Sequence, residues 1–205
     1  MKDFLRKYFG ATKWKRLFDL VVSLIALILL SPLFLIICLV LLFTPDSKVF
    51  FSHERRGRKG RPFKIYKFQT MKNSAPNVAT SELEHPEQYI TAPGRILRKT
   101  SLDELPQLWN IFKGDMSFVG PRPLISSEIR AHRLRLEYGV YRFRPGLTGW
   151  AQVNGRDDIS LMKKMKLDKE YCDNFSIWLD IKILLRSVGV CIRQEGFHEG
   201  VLHRR

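Results

Sequence analysis

Residues 20–43 read LVVSLIALILLSPLFLIICLVLLF, a stretch of 24 in which only Ser23, Ser31 and Pro32 are not apolar. About 20 apolar residues cover the hydrocarbon of a bilayer, so this segment must meet lipid. It is longer than a signal-peptide core and is followed by Thr44-Pro45-Asp46 instead of a small-residue cleavage site, so it is expected to stay in the mature chain. Ser31-Pro32 falls at its midpoint, where proline removes a backbone donor and crowds the carbonyl four residues back; a bend is expected there. Charge bears on the topology. Lys2, Arg6, Lys7, Lys13, Lys15 and Arg16 precede the run, and Lys48, Arg55, Arg56, Arg58, Lys59, Arg61, Lys64 and Lys67 follow it. A simple span would put one basic flank outside, whereas a helix that enters, turns and leaves on the same side keeps both at the anionic cytoplasmic leaflet. The flanks favour this re-entrant hairpin, and proline in a spanning helix stays open as the other reading.

The 205 residues carry 35 Lys and Arg against 20 Asp and Glu, a net charge of +15. Such a balance calls for a polyanionic partner: nucleic acid, anionic lipid or a phosphorylated substrate. The length excludes a large multidomain assembly. Cys38, Cys172 and Cys191 form no C-x-x-C pair, which argues against a disulfide scaffold or a structural zinc site. His53, His85, His132, His198 and His203 show no ligand spacing and read as surface residues.

Beyond the membrane run, residues 49–52 and 63–70 read as strands joined by a turn at 57–60, and 73–91 as a polar surface loop with the composition of a lid. Apolar periodicity predicts helices over 105–112, 125–138, 159–172 and 177–192. The expected fold is therefore α/β, a helix-dominant α+β domain, in two parts: residues 1–46 as basic N-terminus and membrane hairpin, and 47–205 as a cytoplasmic domain. The last helix, with Asp180, Lys182 and Arg186 among apolar residues, reads equally as an interfacial helix anchored by Trp178 or as a buried one.

Three knots carry chemistry. In RKTSLDELPQLWN (98–110), Asp103 and Glu104 are adjacent; helical neighbours diverge by about 100°, which suits two separate roles. Ser101 with Glu104 also reads as a capping box needing no catalysis. The basic setting of Arg95, Arg98 and Lys99 would keep both carboxylates ionised, as a nucleophile toward phosphorus or a magnesium ligand must be. In KGDMSFVGPRP (113–123), two prolines clamp Arg122 on a stiff turn suited to phosphate. In RPGLTGWAQVNGRD (144–157), three glycines point to a loop whose amides approach a ligand, followed by Arg156. P-loop, dinucleotide-binding and zincin motifs do not occur.

Taken in order, the membrane run with Ser31-Pro32, FKIYKFQTM (63–71), LRKTSLDELPQLWNIFKGDMSFVGPRPL (97–124) and RPGLTGWAQVNGR (144–156) resemble the bacterial sugar transferases called monotopic phosphoglycosyl transferases. The length resembles the family's minimal, single-domain form. The resemblance implies a re-entrant helix at the cytoplasmic face of the bacterial inner membrane. It implies transfer of a sugar-1-phosphate from a UDP-sugar to undecaprenyl phosphate with release of UMP, Mg2+ as cofactor, and a first membrane step of surface glycan synthesis. By that similarity Asp103 is the nucleophile that forms a covalent phosphosugar intermediate and Glu104 the magnesium ligand. Lys67, Arg98, Arg122, Arg156 and Asp168 match positions around the diphosphate and nucleotide. Anionic membrane lipids are expected partners, nucleic acid is not, and a homodimer is left open. The competing reading is a non-enzymatic basic protein that binds a membrane surface or nucleic acid, which needs no adjacent carboxylates. A polytopic transferase would need more than one apolar run.

Overall fold

The computed structural model describes residues 2–76, 83, 85–155 and 158–193, with side chains between 12 and 190. Two helices, α1 (Lys2–Leu29) and α2 (Ser31–Leu42), meet at 60° across Leu30. The bend has a local cause. In a continuous helix residue 32 would donate to the carbonyl of Ile28, but Pro32 has no N–H; the Ser31 hydroxyl donates to that carbonyl instead, at 2.8 Å. Among the described residues no single helix is long and apolar enough to cross a membrane, whereas the bent pair together is, by length and composition. Its burial is inverted relative to a water-soluble hairpin: Asp19 and Ser23 are buried, while Leu24, Ile25, Ile28, Leu35, Ile36, Leu39 and Val40 are exposed.

The bent pair is fastened to the rest of the chain by polar and apolar contacts. Arg16 donates to the carbonyls of Ile111 and Phe112, both at 2.6 Å, capping the last turn of α4 (Gln107–Lys113) with a positive charge. The Asp19 carboxylate accepts from the Ser117 hydroxyl and the Phe118 amide, both at 3.1 Å. Ile37 and Leu41 share a core with Phe68 and Leu97, and Leu27 and Leu30 pack on Ile65, Leu108, Ile111 and Met116. The segment 1–46 and the remainder 47–205 are thus joined by two apolar clusters.

The architecture is mixed α/β and helix-rich. β1 (Phe50–Arg56) and β2 (Pro62–Phe68) form an antiparallel hairpin in register from Phe50↔Phe68 to Arg56↔Pro62, with a 3-10 turn at Arg58–Gly60. β1 runs past the expected 49–52 because His53, Glu54, Arg55 and Arg56 pair by backbone despite their charge. After α3 (Ala92–Lys99) and α4 come β3 (Ser117–Val119) and β4 (Leu124–Ile125), then α5 (Ile129–Glu137) and β5 (Gly146–Thr148). β4 joins the other edge of β1, giving the order β2-β1-β4, and β3 pairs in parallel with β5. α6 (Leu161–Asp173) and α7 (Ile177–Arg193) are the last elements among the described residues. Val119, Val140, Phe143, Tyr171, Cys172 and Ile183 form the core beneath them.

Several expectations are corrected. The predicted helix 125–138 begins at Ile129, since Leu124–Ile125 is a strand; three short strands, of two and three residues, were too brief to show periodicity. α3, not expected from the sequence, follows directly on the predicted loop, whose last residue Thr91 caps it by accepting from the Gly94 amide at 3.0 Å. The loop's ends meet in the bridge Met71↔Ile90, and the centre of the expected lid, residues 77–82, lies outside the described residues. His132 is half-buried, its ring bonded to the Ile125 carbonyl at 2.8 Å and to the Tyr141 hydroxyl, so it is not a surface residue. The last helix is buried on one face and presents exposed apolar side chains on the other. Asp180 and Ile183 are buried, Asp180 pairing with Lys15 and the Tyr171 hydroxyl, while Trp178, 80% exposed, leads an apolar face with Ile177, Ile181, Leu185 and Val188.

The glycines of the third knot also differ from expectation. A Cβ at Gly146 would lie 2.1 Å from the Gly120 amide nitrogen, and one at Gly120 2.4 Å from the Arg144 carbonyl. Gly120 and Gly146 permit backbone to cross backbone, holding the second and third knots together.

Candidate active site

Asp103 and Glu104 sit on a 3-10 turn, Leu102–Glu104, between α3 and α4. Ser101 precedes it in the left-handed region, φ 56°, and its side chain makes no capping bond. The capping box is therefore absent: an N-cap needs extended backbone to aim its oxygen at the third amide. Glu104 is committed elsewhere. Lys67, at the end of β2, donates to Glu104 Oε1 at 2.6 Å and lies 3.8 Å from Asp103 Oδ2. A 3-10 turn separates neighbours by about 120°, yet one ammonium reaches both carboxylates because it lies between them.

The scaffold for this contact is set by Asn110, fully buried on α4. Its side-chain oxygen accepts from the Tyr66 amide at 3.0 Å, and its Nδ2 donates to the Lys64 carbonyl at 2.7 Å. α4 thereby ties the strand carrying Lys67 to the turn carrying the acids. Sequence reasoning missed Asn110; the readable signal was an amide in an otherwise apolar helical stretch, where burial demands partners. Phe68, Leu97, Leu102 and Leu105 pack beneath the turn.

Cations surround the acidic pair. Arg122, on the turn between β3 and β4, brings Nη2 to 4.0 Å from Glu104 Oε1 and is half-exposed. Arg98, on α3, donates through Nε to Thr70 Oγ1 at 2.8 Å, and its charge acts on Asp103. Arg55, not singled out in the sequence, belongs here too. β1–β4 pairing sets it opposite Ile125, its buried Nε has no hydrogen-bond partner among the described residues, and its charge interacts with Arg122, Glu128 and Glu104. Burial and then the like charge of Arg122 lower its pKa to about 10. Four cations thus face two carboxylates, a surplus that matches the charge of a diphosphate.

The expectation that the basic setting simply keeps Asp103 ionised needs amending. Burial, with help from Glu104, pushes its carboxyl above the usual carboxylate range, while Lys67, Arg98 and Arg122 hold it down. The result is a shielded carboxylate whose charge depends on its cationic neighbours.

Of the other expected site residues, Asp168 is buried, 3% exposed at its side chain, and bonded to Arg135 Nη2 at 2.6 Å. A carboxylate so enclosed does not face solvent, and it stands apart from the acidic pair. Arg156 lies outside the described residues. Asp103, Glu104, Lys67, Arg98 and Arg122 come together.

Among the described residues no three His, Cys, Asp or Glu side chains form a metal cage. Two adjacent carboxylates nevertheless suit Mg2+, which takes one or two protein carboxylates and completes its shell with substrate phosphates and water. Glu104 and Asp103 are the side chains that would hold it.

Comparison with known proteins gives the family. The chain is 42% identical over 188 residues to "Uncharacterized sugar transferase EpsL" of Bacillus subtilis strain 168, covering 90% of each chain. It is 37% identical over 200 residues to "Exopolysaccharide production protein ExoY" of Rhizobium meliloti, covering 89% of this chain and 88% of that one. It is 40% identical over 198 residues to "Undecaprenyl-phosphate galactose phosphotransferase" of Salmonella typhimurium, covering 89% of this chain but 41% of that longer protein. Residues 10–194 match the sequence model of the family described as "Bacterial sugar transferase", and with the acidic turn and its four cations inside that span, the chain belongs to the bacterial sugar transferases.

Proposed function

We propose that this transferase moves a sugar-1-phosphate from a UDP-sugar to undecaprenyl phosphate through a covalent intermediate on Asp103. The observation that carries the reading is the pair Asp103 and Glu104, 13% and 17% exposed, gathered around Lys67 with Arg122 at the rim. A basic protein that merely coats a membrane or nucleic acid has no use for two enclosed carboxylates. The acceptor is named for the relatives of Salmonella typhimurium and Escherichia coli.

In the first step Asp103 Oδ attacks the sugar-bearing phosphorus; that O–P bond forms as the bond to the bridging oxygen breaks, and UMP leaves with the electron pair. In the second step a phosphate oxygen of the polyprenyl acceptor attacks the same phosphorus. The bond to Asp103 breaks, restoring the carboxylate. Lys67 opposes the effect of burial on the Asp103 carboxyl; Arg122, Arg98 and Arg55 supply positive charge for the phosphate oxygens. Bound Mg2+, held by Glu104 with Asp103, would neutralise diphosphate charge and stabilise the leaving group. Splitting the transfer lets a soluble donor and a lipid-embedded acceptor use one nucleophile in turn.

The proposed setting is the cytoplasmic face of the bacterial inner membrane. The bent α1–α2 pair lies in one leaflet as a re-entrant hairpin, its basic flanks near anionic lipids, supported by its apolar-out burial and the Ser31-Pro32 break. The test is intact-protein mass after incubation with a UDP-sugar and Mg2+ without acceptor lipid. A phosphosugar adduct on the native protein, absent from Asp103→Asn, is expected. An adduct that maps to another residue or survives in Asp103→Asn refutes the assignment.

A further inference from the structure

Arg135, on α5, is almost fully buried and its guanidinium forks. Nη2 donates to Asp168 Oδ2 at 2.6 Å, and Nη1 donates to the backbone carbonyl of Arg122 at 2.7 Å. Its Nε has no hydrogen-bond partner among the described residues. A buried arginine–aspartate pair adds little net stability, because desolvating both charges offsets their attraction, and an unbonded buried donor adds a further cost. What the arrangement secures is the position of one peptide group. Pro121 and Pro123 already restrict the backbone on both sides of Arg122. The Arg135 bond fixes the plane of the peptide between Arg122 and Pro123, and β4, paired with β1, begins at the next residue. The half-exposed Arg122 side chain therefore projects from an anchored backbone toward Glu104.

We infer that Arg135 is a positioning residue, held in place by Asp168, that aims the Arg122 guanidinium at the phosphate groups of a nucleotide-sugar. The inference deepens the proposed phosphoglycosyl transfer and rests on it. Asp168 then matters for turnover without touching substrate, which accounts for a functional match at a buried position.

Lysine at 135 keeps the charge but loses the planar fork that bonds the Asp168 carboxylate and the Arg122 carbonyl from two separate nitrogens, so it holds the Arg122 peptide less rigidly. The experiment measures UMP release by the full chain for wild type, Arg122→Ala, Arg135→Lys and the double variant, with melting temperatures alongside. Arg135→Lys is expected to lower kcat/KM for the UDP-sugar by about 10- to 100-fold, the effect of a misaimed substrate contact. The same substitution is expected to cost less than about 2-fold more in the Arg122→Ala background, since a residue acting through Arg122 has nothing left to aim. Equal losses in both backgrounds, or an Arg135→Lys chain as active as wild type, overturn the inference. Asp168→Asn, which keeps size and an acceptor oxygen, carries the same forecast if Arg135→Lys does not fold. A wild-type chain that releases no UMP from any UDP-sugar overturns the proposed function itself, whereas turnover with additive losses overturns the positioning role alone.

Discussion

Replacing Lys67 with methionine removes the charge at the centre of the site while keeping most of the stem. Its side chain is 22% exposed, and the ammonium lies 2.6 Å from Glu104 and 3.8 Å from Asp103. At an effective dielectric constant of about 20 these separations correspond to gross attractions of about 6 and 4 kcal/mol, most of which desolvation offsets. Breaking a fully buried pair costs about 3–5 kcal/mol, so for this partly exposed triad we expect about 2–3 kcal/mol. The sign of the pH dependence follows from the carboxyls. Lys67 is the main influence opposing burial at Asp103, so its loss raises an already elevated folded-state pKa. The folded variant then binds protons at pH values where the unfolded chain does not, and stability falls as pH rises through that window. The deficit against wild type should be complete above the folded pKa and shrink as pH falls toward the ordinary carboxylate value. Urea midpoints in detergent micelles at pH 8 and pH 5 measure it, and the acid limb of UMP release should move to higher pH. An equal deficit at both pH values would refute the electrostatic reasoning and assign the effect to packing of the lysine stem.

Asn110→Ala strands the Tyr66 amide and the Lys64 carbonyl and should cost about 3 kcal/mol in the same urea titration, with loss of UMP release because Lys67 follows on that strand. Gly94→Ala would set a Cβ 2.1 Å from the Thr70 carbonyl oxygen, forcing α3 to shift; we expect about 2 kcal/mol of destabilisation and weaker turnover, since Thr70 also holds Arg98. Single cysteines at Lys13 and Lys48, in an otherwise cysteine-free chain, should both resist a membrane-impermeant thiol reagent added to intact cells; labelling of either sinks the re-entrant hairpin. Ser31→Leu combined with Pro32→Leu restores the missing backbone donor to Ile28 and should straighten the bend, exposing one flank to that reagent.

Much of the site was legible because its signals are local. A proline at the middle of an apolar run, two adjacent carboxylates after a basic stretch and an arginine between prolines are each readable without knowing what lies across the fold. Other reasoning failed where a local pattern had a distant use. Ser101 and Glu104 have capping-box spacing, but Lys67, 37 residues away in sequence from Glu104, takes the glutamate. Gly146, in the stretch read as a ligand loop, has a use the local pattern did not show: with Gly120 it lets two backbones cross. Asp168 looked like a site carboxylate, and Arg135 on the facing helix encloses it.

Hydropathy and charge along the chain by themselves determined that an apolar run broken at Ser31-Pro32 lies between basic flanks, that a mixed, helix-rich domain follows, and that the acids at 103 and 104 sit among cations. These properties depend on residue type and on spacing within a turn or two. Tertiary structure alone decided that one lysine serves both acids, that Arg55 joins the site through strand pairing, that Asn110 fastens strand to helix, and that Arg16 and Asp19 bolt α1 to α4 and β3. The physical reason is common to all four: a buried polar group must find a partner, and which partner it finds depends on segments that meet only after the chain has folded.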